Sequence, residues 1–135
     1  MTRINVVPPR QLTNKHLMAE YRELPRIFTL AKRYLTVQCD IPEHYPLGKG
    51  HMKFFVDKLH YLYLRYAEIY MELTARGYAL SVPLYKQIAQ DANSFRGTHL
   101  WNDYTPTVEA YYLNYIRLAK RCDIQEVHDE LTSEA

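Results

Sequence analysis

The chain opens MTRIN. An initiator Met followed by a small Thr is ordinarily removed, which would leave Thr2 with a free α-amine beside Arg3. An unperturbed α-amine titrates at about 7.7–8, against about 10.4 for lysine, so far more of it is neutral and nucleophilic near pH 7. It is either an ordinary chain end or a reactive group. Further along, HLMAEYRELPR carries His16 and Glu23 seven residues apart, nearly in line on a helix. Lys15, Arg22, Arg26 and Arg33 fall within about 40° of one another on the same helical wheel. A carboxylate among arginines stays ionised and can act as a base or stabilise a developing cation. The plain alternative is a Glu23–Arg26 helix pair, which contributes only about 0.2–0.5 kcal/mol. Arg22 and Arg26 are like charges one turn apart and repel. A solvated face would tolerate them, but an arriving anion such as a DNA backbone explains them better.

These residues need elements to hold them. Residues 1–13, with Pro8 and Pro9, read as an extended lead-in. Asn14 is a candidate N-cap for a helix through KHLMAEYRELPRIFTLAKRYL, kinked or weakened at Pro25. Its core face is predicted to be Leu17, Leu24, Phe28, Ala31 and Leu35. A loop with Pro42, Pro46, Gly48 and Gly50 leads to a second helical stretch, open to a break, that ends near Gly77. A connector containing Pro83 and FRG reaches Pro106, and a last helix starts near Thr107. Strand signals are weak throughout. The expected fold is all-α, a single compact helical bundle of about three main helices with an extended N-terminal segment. Residues 1–135 are expected to form one domain, with 123–135 as an acidic tail.

Charge is unevenly spread. The net charge is only +2, but residues 123–135 hold five acids and no Lys or Arg. The rest of the chain carries 17 basic and 10 acidic residues, a net +7. No apolar run is long enough to span a membrane, and no signal-peptide core is visible. Cys39 and Cys122 suggest neither a metal site nor a disulfide framework, so a reducing cytoplasm is expected. The six histidines show no metal-ligand spacing. Tyrosine is abundant, 13 residues, more than a small core needs, and buried tyrosines require partners for their hydroxyls.

MTRIN followed by HLMAEYRELPR resembles the phage-type endonuclease V family, pyrimidine dimer DNA glycosylases with an associated abasic-site lyase activity. LGKGHMKFFVDKL, FRG, DYTP and IRLAKR are also similar to that family in order and spacing. The resemblance implies catalytic roles for Thr2, as amine nucleophile, and Glu23. It implies DNA binding by Arg3, His16, Arg22, Arg26, Arg117 and, as a weaker match, Arg121. Lys15 stands where the family often has a neutral polar residue. The implied partner is double-stranded DNA containing pyrimidine dimers or abasic sites. A monomer that needs no cofactor, acting in the cytoplasm of a bacterial or phage-infected cell, is expected. The acidic CDIQEVHDELTSEA departs from the aromatic and basic tail of the best-known member. Trp101 and Tyr104 are candidates either for core packing or for a replacement aromatic surface. Two other readings stay open: a DNA-binding protein that senses damage or shape without cutting, and a helical module whose Tyr-rich second helix meets a protein partner.

Overall fold

The computed structural model describes residues 4–37 and 40–121, with the backbone alone for Lys120 and Arg121. Thr2, Arg3, the Arg121 side chain, both cysteines and the acidic tail therefore lie outside the described residues. Six α-helices run in order: α1 (Asn14–Glu23), α2 (Pro25–Ala31), α3 (His51–Phe54), α4 (Leu59–Ala75), α5 (Val82–Asn93) and α6 (Val108–Arg121). Short 3-10 turns cover Pro9–Gln11 and Lys32–Leu35, and no strand occurs among the described residues.

The all-α expectation holds, with more helices than the three main ones foreseen. Thr13, not Asn14, caps α1: its hydroxyl oxygen accepts from the His16 N–H at 3.3 Å. Pro25 has no N–H to continue the ladder. The chain therefore restarts there, with Pro25 in the first turn of α2, where no donor is needed. Leu17, Leu24, Phe28 and Ala31 are buried as predicted, but Leu35 is exposed. The cause is the switch to a 3-10 turn at Lys32–Leu35. Its 120° per residue rotates Leu35 off a ridge laid out at 100°.

The second helical stretch is broken, as left open, into α3 and α4. Gly50, just before α3, has φ 88°, and a Cβ there would meet Pro42 at 3.1 Å. α4 is the central helix. Leu59, Leu62, Tyr66, Ile69 and Leu73 bury one ridge of it. Two donors of its first turn reach the connector, Leu59 N–H to the Leu100 carbonyl at 3.1 Å and Tyr61 N–H to that of Asn102 at 3.3 Å.

Helix α5 corrects the reading of the Pro83 region as a plain connector. Pro83 lies in the first turn, and the Ser81 hydroxyl caps it by accepting from the Leu84 N–H at 3.2 Å. The tyrosines explain why α5 packs where it does. Tyr21 of α1 stacks on Tyr66 of α4 at 5.0 Å, Tyr66 on Tyr85 of α5 at 5.6 Å, and Tyr85 on Tyr70 at 4.1 Å. Rings so offset contribute about 0.5–1.5 kcal/mol per pair beyond area burial. Tyr61, Tyr63, Tyr66 and Tyr70 are thus all at least partly buried in the bundle. That removes the exposed tyrosine face on which the protein-partner reading depended. Trp101 and Tyr104 also pack on the core, Trp101 stacked against His60 at 5.0 Å and Tyr104 edge-on to Phe54 at 5.3 Å. No helix among the described residues is long and apolar enough to cross a membrane.

Candidate active site

Helix α1 divides the candidate residues between two faces. Lys15 and Arg22 are exposed on its outer side, Arg26 is exposed on α2, and Arg33 is exposed on the 3-10 turn that follows. Glu23 sits among them with its side chain 22% exposed, 3.6 Å from an Arg26 guanidinium that is itself 73% exposed. The plain helix pair is therefore present. It leaves the carboxylate open to solvent and Arg26 able to turn outward.

His16 is half-buried on the same helix. Burial, then Arg117, then Lys15 push its pKa down, and Glu20 partly opposes this. The ring is accordingly neutral in the free protein near pH 7. Arg117 of α6 is itself buried, with one Nη 3.5 Å from the Asn5 carbonyl oxygen of the side chain. The four described residues among those expected to bind DNA thus do not form one surface. Arg22 and Arg26 are presented outward, His16 is half-covered, and Arg117 lies inside. Arg3 and the Arg121 side chain are outside the described residues.

Beneath α1 runs the segment Ile4–Val7, with no residue more than 3% exposed. It pairs with no strand, so its buried backbone groups need side-chain partners. The Ile4 N–H donates to His51 Nε2 at 2.8 Å, and the Tyr45 hydroxyl donates to the Ile4 carbonyl at 2.9 Å. Because His51 Nε2 accepts, its proton is on Nδ1, which donates to the Pro46 carbonyl at 2.6 Å. The Asn114 side-chain oxygen accepts from both Val6 and Val7 N–H, at 2.7 and 3.2 Å. Arg65 donates to the Val7 carbonyl at 3.0 Å.

One further pair completes this interior. Glu20 is fully buried and receives a two-pronged contact from Arg65, through Nε and through Nη2 at 3.0 Å. The Asn5 amide nitrogen donates to the same carboxylate at 2.9 Å, and its oxygen accepts from Asn114 at 2.7 Å. Burial alone would disfavour the Arg65 charge, but attraction and hydrogen bonding from Glu20 outweigh it and raise the Arg65 pKa.

Sequence reasoning passed over Asn5, Glu20, Arg65 and Asn114. A signal existed. Glu20 falls on the Leu17–Leu24 ridge of α1, Arg65 on the Leu62–Tyr66–Ile69 ridge of α4, and Asn114 on the Ala110–Leu118 ridge of α6. Opposite charges on two core ridges mark a buried pair, since such residues are almost never buried unless partnered. Among the described residues no cluster of His, Cys, Asp and Glu could hold a metal ion.

A family model described as pyrimidine dimer DNA glycosylase matches residues 1–86, well over half of the chain. The match takes in the buried N-terminal segment, the whole of α1 with Arg22 and Glu23, α2 with Arg26, and all of α4. With its sequence matched over that span, and a helical fold built around it, the chain belongs to the pyrimidine dimer DNA glycosylase family.

Proposed function

We propose that this DNA repair glycosylase releases the damaged base through its own N-terminal amine and then cuts the strand at the resulting abasic site. The observation that carries the reading is the sharing of one helix. Glu20, on the inner face of α1, binds Asn5, and Glu23 stands on the open face between Arg22 and Arg26. Asn5 and the Glu23 carboxylate are thereby tied to the same short rod.

In this reading the Thr2 amine attacks C1′ of the deoxyribose. The N–C1′ bond forms as the C1′–base bond breaks, and the base leaves with the electron pair. Ring opening gives a protonated imine, with a proton passing to O4′. That imine is an electron sink, so the C2′ proton becomes acidic. Its removal drives cleavage of the C3′–O bond, and the 3′ phosphate departs with its electron pair. Water then hydrolyses the imine and restores the amine. Glu23 stabilises the cationic sugar and moves the proton. Arg22 and Arg26 hold the flanking phosphates, with Arg3, His16 and Arg121 proposed beside them. Arg117 joins them only by turning away from Asn5. Extracting a nucleotide from the stack costs a few kcal/mol, less where damage has weakened pairing. Neither step requires a metal or an organic cofactor. The partner is duplex DNA with pyrimidine dimers or abasic sites, and the protein acts as a monomer.

Borohydride trapping on UV-irradiated duplex DNA, read by mass, tests this. The adduct is expected at the Thr2 amine. A form that is N-acetylated or keeps Met1 is expected to bind but neither to cut nor to be trapped, because an amide nitrogen is no nucleophile and the new amine is displaced by about 3.8 Å. An adduct on a lysine, or binding without any adduct, would refute the reading.

A further inference from the structure

The buried polar cluster around Ile4–Val7 is larger than packing requires. The backbone groups of the segment need side-chain partners, but the side-chain contacts of Asn5 with Glu20 and Asn114 go beyond that need. A buried ion pair replaced by apolar residues of similar volume is often neutral or stabilising, so Glu20–Arg65 needs another explanation. Apolar contacts also leave one freedom. Side chains of an extended segment alternate, so a slide by two residues keeps every side chain on its own face while moving the chain about 6.6 Å. That slide would bring Val7 to the place of Asn5. Valine can neither donate to Glu20 nor accept from Asn114, so the slide leaves a buried carboxylate and a buried amide short of partners. Asn5 is thus a register mark, as a buried Asn is between coiled helices. Asn114 reinforces it by holding two successive amides, Val6 and Val7, with one oxygen.

We infer that Asn5, Asn114, Glu20 and Arg65 are positioning residues that fix the axial register of the N-terminal segment, and with it the place of the attacking amine. The inference rests on the reading of the Thr2 amine as nucleophile. Only two residues separate Asn5 from Thr2, so a shift at Asn5 is carried to the amine with little chain to absorb it. A misplacement of about 1 Å is enough to cost about a hundredfold in rate. The four residues touch no substrate in this scheme, and Arg22, Glu23 and Arg26 remain as they are when the register is lost.

The test compares Asn114→Ala and Asn5→Leu with the parent protein in four measurements: the single-turnover rate of borohydride-trapped adduct on UV-irradiated duplex, binding of the same duplex, thermal unfolding, and amide exchange. Asn5→Leu keeps the branched shape and heavy-atom count of the side chain and leaves Asn114 on Val6 and Val7, so it keeps the test valid where Asn114→Ala folds poorly. The adduct rate is expected to fall at least about tenfold in each folded variant. Binding is expected to stay within about threefold, because the exposed arginines are untouched. In Asn114→Ala, amide exchange at Val6 and Val7 is expected to quicken while that at Ile69 in α4 does not. An adduct rate close to the parent's overturns the inference. So does a loss of rate and binding together in proportion to the loss of folded protein, which is what a purely structural role predicts. A parent whose adduct forms elsewhere than at the N-terminal amine sinks the underlying reading instead, before any variant is compared.

Discussion

Helix α1 supplies the acid of two acid–arginine pairs that differ in almost everything except residue type. Glu23 and Arg26 meet at 3.6 Å on the surface, and Glu20 and Arg65 meet in the interior with at least two contacts. Three residues along a helix leave Glu20 and Glu23 only about 60° apart, yet Glu20 is fully buried while Glu23 stands at the edge of the core, partly exposed. In water the outer pair contributes between about 0 and 1 kcal/mol, so an incoming phosphate or sugar cation displaces it at little cost. The inner pair has lost its hydration and holds because each charge answers the other. Charges meant to change partners are kept wet and loosely held. Charges meant to hold a shape are dried and tied from two helices.

The contrast can be broken most forcefully from the inside. Glu20→Ala leaves Arg65 buried without its carboxylate and Asn5 without its acceptor, and is expected to cost about 3–5 kcal/mol in denaturant unfolding. Unfolding within about 1 kcal/mol of the parent would mean that the inner pair is as dispensable as a surface pair.

The next effect is in rate rather than stability. Glu23→Gln is expected to lower strand cleavage at least about a hundredfold, the usual scale of acid–base assistance. Binding to damaged duplex is expected to stay within about tenfold, since a carboxylate facing phosphate is no binding group. Near-parental cleavage would remove Glu23 from the mechanism and leave only the surface pair.

Salt separates the exposed arginines from the buried one. Arg22→Gln and Arg26→Gln are each expected to flatten the slope of log affinity against log salt by about one unit. Arg117→Gln is expected to show instead as lost stability, because Arg117 is buried against Asn5. A full unit of slope lost with Arg117 would place it among the exchangeable charges.

The smallest effect is a proton. The His16 pKa is lowered in the fold, by burial first and then by Arg117 and Lys15. The unfolded chain therefore binds a proton here that the folded one resists. The stability this contributes is complete above the unfolded value of about 6.5 and is lost as pH falls toward the lower folded value. Phosphate favours the protonated ring, so DNA binding takes up a proton and tightens as pH falls from about 8 toward about 6. His16→Gln is expected to flatten that dependence. An unchanged pH profile would show that His16 does not face the phosphates.

The sequence carried the outer half of this comparison more openly than the inner half. Lys15, Arg22, Arg26 and Arg33 lie where helical spacing puts them, because an exposed face follows from periodicity alone. The break at Pro25 and the start of α6 were equally local. Thr13 displaced Asn14 as the cap by a single residue, a choice between two good capping side chains. Pro83 read as a breaker because the first turn of a helix and a connector share the same residue preference. The interior was the hard part. Glu20, Arg65 and Asn114 each look like a flaw in an apolar ridge until the three helices are assembled, and Asn5 carries no periodic signal at all. Its partners stand 15 and 109 residues away.

That separation has a consequence for how the protein is made. The family match ends at residue 86, yet the acceptor for the Val6 and Val7 amides is Asn114, 108 and 107 residues downstream. On the ribosome, Ile4–Val7 emerges first and is seated last, after α6 has been synthesised. A chain stopped at residue 86 would hold α1 and α4 but would strand those two amides in a half-built interior. The stretch by which the family is identified therefore leaves out the acceptor that holds its own N-terminal segment in place.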